Sequence, residues 1–235
     1  MKHVIAIFAL GLVALGCRHA GAEEQRAAAR GKASKTMQQR VGTNPGKVGN
    51  GTPLTAGAGH ELAAFAAGCF WGVEDAFRKV RGVTATAVGY TGGHTKDPTY
   101  PKVCEHDTGH AETVLIEFDP KVVSYEKLLR AFFEIHDPTT PNRQGPDVGD
   151  QYRSAIFTFS PAQAEAAKKA IAKEQAKLSD RVVTLVSPVG PFYRAEDYHQ
   201  NYLALHPDQP YIVYNDLPKL AQLKVRFPDR YVTAR

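Results

Sequence analysis

The chain has 235 residues, of which 43% are hydrophobic and 23% are charged. This length favours one domain with short appendages, and this apolar content supports a real core and excludes a disordered chain. The formal charge of +5 lies near the N-terminus, because residues 1–22 contribute +2, residues 23–59 contribute +4 and residues 60–235 contribute −1. A neutral globular part argues against nucleic-acid binding and against binding to a membrane surface.

Residues 1–22 have the pattern of an export signal peptide. A short basic start precedes an apolar run over 4–15, and the Ala-Gly-Ala segment at 20–22 has the form of a signal peptidase site. The apolar run is too short for a membrane-spanning helix, which needs about 20 residues. In an alternative interpretation, Cys17 becomes lipid-modified and the protein is a lipoprotein. Both alternatives predict a periplasmic or secreted protein in an oxidising compartment.

Residues 23–59 are predicted to form a flexible linker. The first half is rich in Ala, Gln, Arg and Lys, and residues 41–59 contain six glycines and two prolines with little apolar periodicity. Such a composition offers no apolar face that could pack against a core. The folded domain is therefore expected to occupy residues 60–235.

From residue 60 onward, predicted strands alternate with predicted helices. Apolar runs and period-two alternation predict strands over 62–67, 83–89, 112–118, 153–159 and 182–186. Helical spacing predicts helices after Cys69, after Ser124 and near 196–203, and a Ser-Pro-Ala-Gln capping box at 160–163 opens another helix to about Leu178. Prolines after His206 predict an extended C-terminal tail. The order of elements predicts an α+β fold in which helices pack against a sheet.

Cys69 is the first candidate for a reactive group. It lies in Gly68-Cys69-Phe70-Trp71-Gly72, between a predicted buried strand and a predicted amphipathic helix. The first N–H groups of a helix and its dipole favour a thiolate, which is the nucleophilic form of cysteine. A small buried cysteine packed beside aromatic residues is the structural alternative. This stretch alone leaves both interpretations open.

Glu112 is a candidate general acid. It lies on the apolar face of its predicted strand, ahead of Val114, Ile116 and Phe118. Loss of hydration would raise the pKa of its carboxyl group, as proton donation at neutral pH requires. Tyr100 and a long polar loop over 137–147, followed by Tyr152, are further candidates, since long polar loops commonly serve a site.

Seven short motifs together resemble the A-type peptide methionine sulfoxide reductases. They lie in order between about residues 62 and 203, at 68–72, 89–93, 98–100, 108–112, 136–138, 151–154 and 195–200. The resemblance implies a catalytic reductase domain over 60–235 that reduces the S epimer of methionine sulfoxide and so repairs oxidised proteins. It also implies a two-layer α/β sandwich with a ferredoxin-like mixed sheet, and no metal or organic cofactor. We expect a monomer.

The resemblance also assigns roles to individual residues. Cys69 matches the nucleophile that attacks the sulfoxide sulfur and becomes a sulfenic acid, and Glu112 matches the acid that protonates the sulfoxide oxygen. The other matched residues are two hydroxyl groups that bind this oxygen, an aromatic wall for the S-methyl group and a supporting carboxylate: Tyr100, Tyr152, Phe70, Trp71 and Asp147. Protonation makes the oxygen a better leaving group, so an acid beside a thiolate suits this reaction.

The sequence departs from the family pattern in its cysteines. Many relatives have C-terminal cysteines that resolve the sulfenic acid, whereas no cysteine follows Cys104 in this chain. Cys104 could be the resolving residue, although spacing alone does not establish disulfide geometry. Our preferred interpretation is that Cys104 is a structural bystander. An external thiol, either a thioredoxin-like protein or a small thiol, would then reduce Cys69 directly.

A zinc-binding protein is the alternative function. Four residues with metal-ligand chemistry lie close together in sequence: Cys104, His106, His110 and Glu112. Such a cluster could bind zinc and leave Cys69 with a structural role. No second ligand cluster completes the pattern, so a solvated polar loop is the simpler interpretation.

Overall fold

The computed structural model describes residues 55–228. The predicted signal peptide, Cys17 and most of the predicted linker lie outside the described residues. Six strands form one sheet: β1 (Glu61–Ala67), β2 (Val83–Thr91), β3 (Ala111–Phe118), β6 (Ser154–Thr158), β7 (Leu185–Pro188) and β8 (Tyr193–Arg194). Their order across the sheet is β7-β6-β1-β3-β2-β8. Strands β6 and β7 are parallel and the other neighbours are antiparallel, so the predicted mixed sheet is confirmed.

Helices and a small hairpin complete the described part of the chain. The α-helices are α1 (Phe70–Arg78), α2 (Tyr100–Cys104), α3 (Tyr125–Glu134), α4 (Pro161–Gln175), α5 (Tyr202–Leu205) and α6 (Leu217–Arg226). The hairpin pairs β4 (Arg143–Gln144) with β5 (Asp147–Val148), and short helical turns occur at Asp150–Tyr152, Asp197–His199 and Ile212–Asp216. Among residues 55–228, no helix has the length and apolar character needed to cross a membrane.

Successive side chains of β3 point to opposite faces of the sheet, and each face is covered by its own cluster of buried residues. Val114, Ile116 and Phe118 point into the main core with the helices, whereas Leu115 joins a smaller cluster on the opposite face. Side chains of a strand alternate between the two faces of the sheet, so one strand can serve both clusters. Glu112 shares the face of Val114, and therefore points into the layer that contains α1.

The predicted start of α4 and its Ser160 cap are confirmed, although the reciprocal bond of the predicted capping box goes to the residue before Ser160. The Ser160 hydroxyl accepts a hydrogen bond from the Gln163 backbone N–H at 3.2 Å, and Gln163 Oε1 accepts from the Phe159 N–H at 3.0 Å. The first bond satisfies a donor of the first helical turn that has no partner within the helix, and the second satisfies the N–H just before the N-cap residue. The helix ends at Gln175, earlier than the predicted Leu178. The predicted strand over 182–186 forms instead at Leu185–Pro188.

The predicted extended C-terminal tail is wrong over residues 212–226. This segment forms a π-helical turn at Ile212–Asp216 and then α6. Pro218 is the second residue of α6, directly after the π-helical turn, and the irregular backbone of that turn accommodates a residue without an N–H. Leu220 and Leu223 are buried, and their spacing places both on one face of α6. As a result, the tail packs against the core and reaches the region of Cys69.

Candidate active site

Cys69 lies at the turn between β1 and α1, as the sequence predicts, and is the N-cap residue of α1. Gly68 has a φ of 94°, a left-handed conformation that favours glycine. A Cβ atom at this position would also lie 2.7 Å from the side chain of Gln144. The turn therefore requires glycine for its backbone conformation and for this close contact. It places Cys69, a partly buried residue, beside the first turn of the helix.

Glu112 is fixed next to Cys69 by a hydrogen bond. Its side chain is 2% exposed, and its Oε2 atom accepts a hydrogen bond from the Phe70 backbone N–H at 3.1 Å. Phe70 is the first residue of α1, so this bond satisfies one of the N–H groups that lack a partner at the start of the helix. The thiol and the carboxyl thus meet at one helix terminus.

The electrostatic environment raises the pKa of the Cys69 thiol well above its ordinary value. Burial is the largest cause, followed by the charges of Glu112, Asp216 and Asp147, while the Trp71 backbone N–H acts in the opposite direction. The backbone N–H at the helix start lowers this pKa, as expected, but the net effect of the surroundings is to raise it. Burial and three carboxyl groups outweigh the helix terminus. The thiol is the resting form, and its ionisation becomes easier when a neighbouring carboxyl is neutral.

Trp71 is held in one orientation by its aromatic neighbours. Its Nε1–H donates a hydrogen bond to His199 Nδ1 at 3.0 Å. Its ring stacks on Tyr202 at a centroid distance of 3.9 Å and meets the Tyr211 ring edge-on at 6.1 Å. Phe70 is 1% exposed, and its ring packs against Tyr90 and His199 beneath this group. The two residues form a rigid aromatic wall, the kind of surface that attracts sulfur-containing groups.

His199 supports this wall as a neutral imidazole. It is fully buried, and burial lowers its pKa to about 3. Because Nδ1 accepts the hydrogen bond from Trp71, the ring proton lies on Nε2, which is 3.9 Å from Glu196 Oε2. His199 belongs to the predicted motif at 195–200, but sequence reasoning gave it no role.

Glu196 positions the segment that begins with Tyr100. Its carboxylate accepts hydrogen bonds from the Tyr100 backbone N–H and the Tyr90 hydroxyl, each at 2.9 Å. The Tyr100 ring contacts His199 at a centroid distance of 4.5 Å. Tyr152 lies in the turn Asp150–Tyr152, which packs against β3. Both predicted tyrosines are therefore buried around the strand and the wall that flank Cys69.

Asp147 is joined to the C-terminal segment. Its Oδ2 atom accepts a hydrogen bond from the Tyr211 hydroxyl, and burial raises its pKa. Asp216 is 2% exposed, and burial raises its pKa to about 7. Sequence reasoning missed Tyr211 and Asp216 because the tail was predicted to be extended. The regular spacing of Leu217, Leu220 and Leu223 could have indicated the helix.

The polar loop over 137–147 is organised by its own hydrogen bonds. The Gln144 amide donates to the Asp137 carbonyl at 3.0 Å and accepts from the Asp137 N–H at 3.2 Å. His136 binds the Phe132 carbonyl and the Ser154 hydroxyl, and burial lowers its pKa to about 4. The loop supports the site by holding Gln144 against Gly68 and by carrying Asp147.

The residues of the zinc alternative are engaged elsewhere. His106 Nδ1 lies 2.7 Å from Gln151 Oε1. The Gly93 N–H donates to His110 Nδ1 at 3.2 Å, and His110 Nε2 lies 2.8 Å from the Thr95 carbonyl. Within residues 55–228, no group of three or more His, Cys, Asp or Glu side chains is placed to hold a metal ion. The zinc alternative is not favoured.

The family model described as peptide methionine sulfoxide reductase matches residues 61–231. The chain therefore belongs to the peptide methionine sulfoxide reductase family. It is an oxidoreductase, a peptide-methionine (S)-S-oxide reductase, and the predicted family resemblance is confirmed.

Individual relatives agree with the family match. The chain is 58% identical over 150 residues to the peptide methionine sulfoxide reductase MsrA of Methanothermobacter thermautotrophicus, covering 63% of this chain and 89% of that protein. It is 52% identical to peptide methionine sulfoxide reductase A2 of Arabidopsis thaliana, covering 62% of this chain and 66% of that protein.

Solved structures show the same fold. The reduced form of Mxr1 from Saccharomyces cerevisiae matches with a TM-score of 0.63 and 39% identity, covering 66% of this chain and 90% of that chain. Methionine sulfoxide reductase A of Corynebacterium diphtheriae matches with a TM-score of 0.63 and 34% identity, covering 74% of this chain and 92% of that chain. The predicted α+β fold class is confirmed.

Proposed function

We propose that Cys69 reduces methionine-S-sulfoxide, free or within proteins, through a cysteine sulfenic acid. Cys69 passes its thiol proton to Glu112, the resulting thiolate attacks the sulfoxide sulfur, and the Glu112 carboxyl gives this proton to the sulfoxide oxygen. The oxygen passes to Cys69 as a hydroxyl group and methionine departs as a thioether. Cys69 thereby loses the two electrons that reduce the sulfoxide sulfur, so the step balances.

The other site residues hold the substrate during this step. The hydroxyl groups of Tyr100 and Tyr152 are proposed to donate hydrogen bonds to the sulfoxide oxygen. Trp71 and Phe70 would receive the S-methyl group, because a rigid aromatic wall binds a thioether without much loss of side-chain freedom. Asp147 would hold Tyr211, and through it the edge of the Trp71 ring.

One observation carries the proposal. The Phe70 N–H, the first of α1, donates a hydrogen bond to the buried Glu112 carboxyl, and Cys69 immediately precedes Phe70 in sequence. An acid and a nucleophile fixed by the same helix terminus can act on the two atoms of one S–O bond. The nearby charges raise the pKa of Cys69, so protonation of Glu112 and ionisation of Cys69 favour one another.

We further propose that an external thiol regenerates Cys69, supplied by a thioredoxin-like protein or a small thiol. Cys69 and Cys104 are not joined by a disulfide. Cys104 ends α2 and packs at the edge of the main core, which supports a structural role. A monomeric protein exported by the signal at 1–22 would carry out this repair in the periplasm or outside the cell.

Turnover with separated epimers tests the reaction. The purified protein is supplied with dithiothreitol and either the S or the R sulfoxide of a blocked methionine. Reduction of the S epimer alone is expected, whereas reduction of neither epimer would refute the proposal.

Mass spectrometry of the exported protein tests the location, because a chain beginning at Glu23 supports cleavage and a lipid on Cys17 supports a lipoprotein. Retention of residues 1–22 in the cytoplasm would refute both.

A further inference from the structure

A small cavity lies beside Cys69, between the start of α1 and the C-terminal helical segment. Its volume is about 10 Å³, close to the space that one water molecule requires. The residues with polar side chains that line it are Cys69, Asp216 and Lys219, and the remaining lining residues are apolar or glycine. The cavity thus places one carboxyl and one ammonium group on the side of the thiol that α6 covers.

Asp216 is unusual for a buried carboxyl. Its Oδ1 atom lies 4.0 Å from Lys219 Nζ, whereas its buried Oδ2 atom has no hydrogen-bond partner in the described part of the chain. A Cβ atom on Gly72 would lie 2.3 Å from Oδ1, so glycine at this position lets the carboxyl approach the first turn of α1. Buried polar atoms are nearly always paired, and an unpaired one beside a nucleophile calls for a functional explanation.

We propose that Asp216 donates a proton to the hydroxyl group that leaves Cys69 when an external thiol reduces the sulfenic acid. This inference rests on the sulfenic acid pathway of the proposed function. The external thiolate bonds to Cys69 Sγ, the S–O bond breaks, and the departing oxygen takes the Asp216 proton and leaves as water. The external sulfur is oxidised and the Cys69 sulfur is reduced, which gives a mixed disulfide. A second external thiolate attacks the external sulfur of this disulfide and releases Cys69.

An oxygen atom must be protonated in two successive steps of the pathway, which explains the need for a second acid. Glu112 gives up its proton when the sulfoxide oxygen is transferred, so it is a carboxylate when the sulfenic acid forms. Glu112 is bound to the Phe70 N–H on the β3 side of the thiol, whereas Asp216 approaches from the C-terminal segment. A protonated Asp216 can therefore serve the second step while Glu112 is still charged.

The surroundings of Asp216 let it hold a proton at much higher pH than an ordinary carboxyl. Burial raises its pKa to about 7, with Asp147 on β5 and Asp75 on α1 adding to the rise and Lys219 on α6 opposing it. Cys69 is a further titratable group that faces it across the cavity. Asp216 holds its proton below this pKa and loses it above. Its contribution to reduction of the sulfenic acid should therefore decline as the pH rises through about 7.

Two rates measured on the full-length protein test the proposal. The first is methionine release in a single turnover without reductant, and the second is reduction of the resulting sulfenic acid by added dithiothreitol. Asp216→Asn should release methionine at about the rate of the unchanged protein at low pH, where Asp216 is neutral, and at least as fast above the Asp216 pKa of about 7, where the substitution removes a negative charge beside Cys69. The second rate should fall by about 100-fold or more, the usual contribution of a general acid. The exposed Asp208→Asn is the matched control and should change neither rate.

The pH profile provides a test that does not depend on removing the carboxyl. Lys219→Met removes the charge that lowers the Asp216 pKa, so the decline of the second rate, divided at each pH by the concentration of dithiothreitol thiolate, should move to higher pH. An unchanged profile, or a second rate in Asp216→Asn equal to that of the unchanged protein at low pH, would overturn the proposal. If the unchanged protein releases no methionine, the proposed function itself fails, so the two failures are distinguishable.

Discussion

Substitution of Glu112 by glutamine removes the proposed proton donor but keeps the size and shape of the side chain. The amide oxygen of glutamine can accept the Phe70 N–H bond that Glu112 Oε2 accepts at 3.1 Å, so the start of α1 keeps its partner. The amide N–H can still donate a hydrogen bond to a sulfoxide oxygen but transfers no proton. General acids contribute about 100-fold to 10,000-fold to a rate. The barrier to methionine release should therefore rise by about 3 to 5 kcal/mol.

The assay is a single turnover with the S sulfoxide of a blocked methionine, followed by quantification of the methionine released. Glu117→Gln is the matched control, because Glu117 lies on the same strand and contacts Gly57 and Thr84 away from Cys69. Thermal denaturation checks that both variants are folded. A Glu112→Gln rate close to that of the unchanged protein would refute the assignment of Glu112 as proton donor.

Three further predictions concern the surroundings of Cys69. Trp71→Phe removes the donor to His199 Nδ1, and the unpaired buried nitrogen should lower the free energy of unfolding by about 1–3 kcal/mol; an unchanged urea midpoint would contradict this role. Asp147→Asn removes a charge that raises the Cys69 pKa. In a Cys104→Ser background, iodoacetamide should therefore alkylate Cys69 faster at mildly alkaline pH. A slower reaction would show that Asp147 does not raise this pKa. Cys104→Ser alone should retain turnover with dithiothreitol and with thioredoxin, and loss of the thioredoxin-dependent turnover would identify Cys104 as the resolving residue.

The parts of the fold governed by local patterns could be predicted from the sequence. The alternation over 112–118 predicted both the strand and the inward face of Glu112, because a half-buried strand has a period of two. The Ser-Pro-Ala-Gln segment at 160–163 predicted the start of α4 through its capping hydrogen bonds. Cys69 at a strand-to-helix turn followed from the change in period on either side of it.

Features that depend on tertiary contacts could not be predicted in this way. Prolines in the tail were interpreted as breaks, although Pro218 occupies a first helical turn, so the contributions of Tyr211 and Asp216 were missed. The raised pKa of Cys69 depends on burial and on carboxyls from β3, β5 and the C-terminal segment. These groups are far apart in sequence, and their spacing contains no information about the thiol they surround.

The most direct test of the account is a single turnover without reductant, in which methionine release, the loss of free thiol and the site of oxidation are measured together. With the S sulfoxide and a sulfenic-acid-specific dimedone probe, the account predicts one methionine released for each protein molecule and one adduct, located on Cys69. Absence of methionine release, or an adduct on Cys104 with Cys69 unmodified, would contradict it.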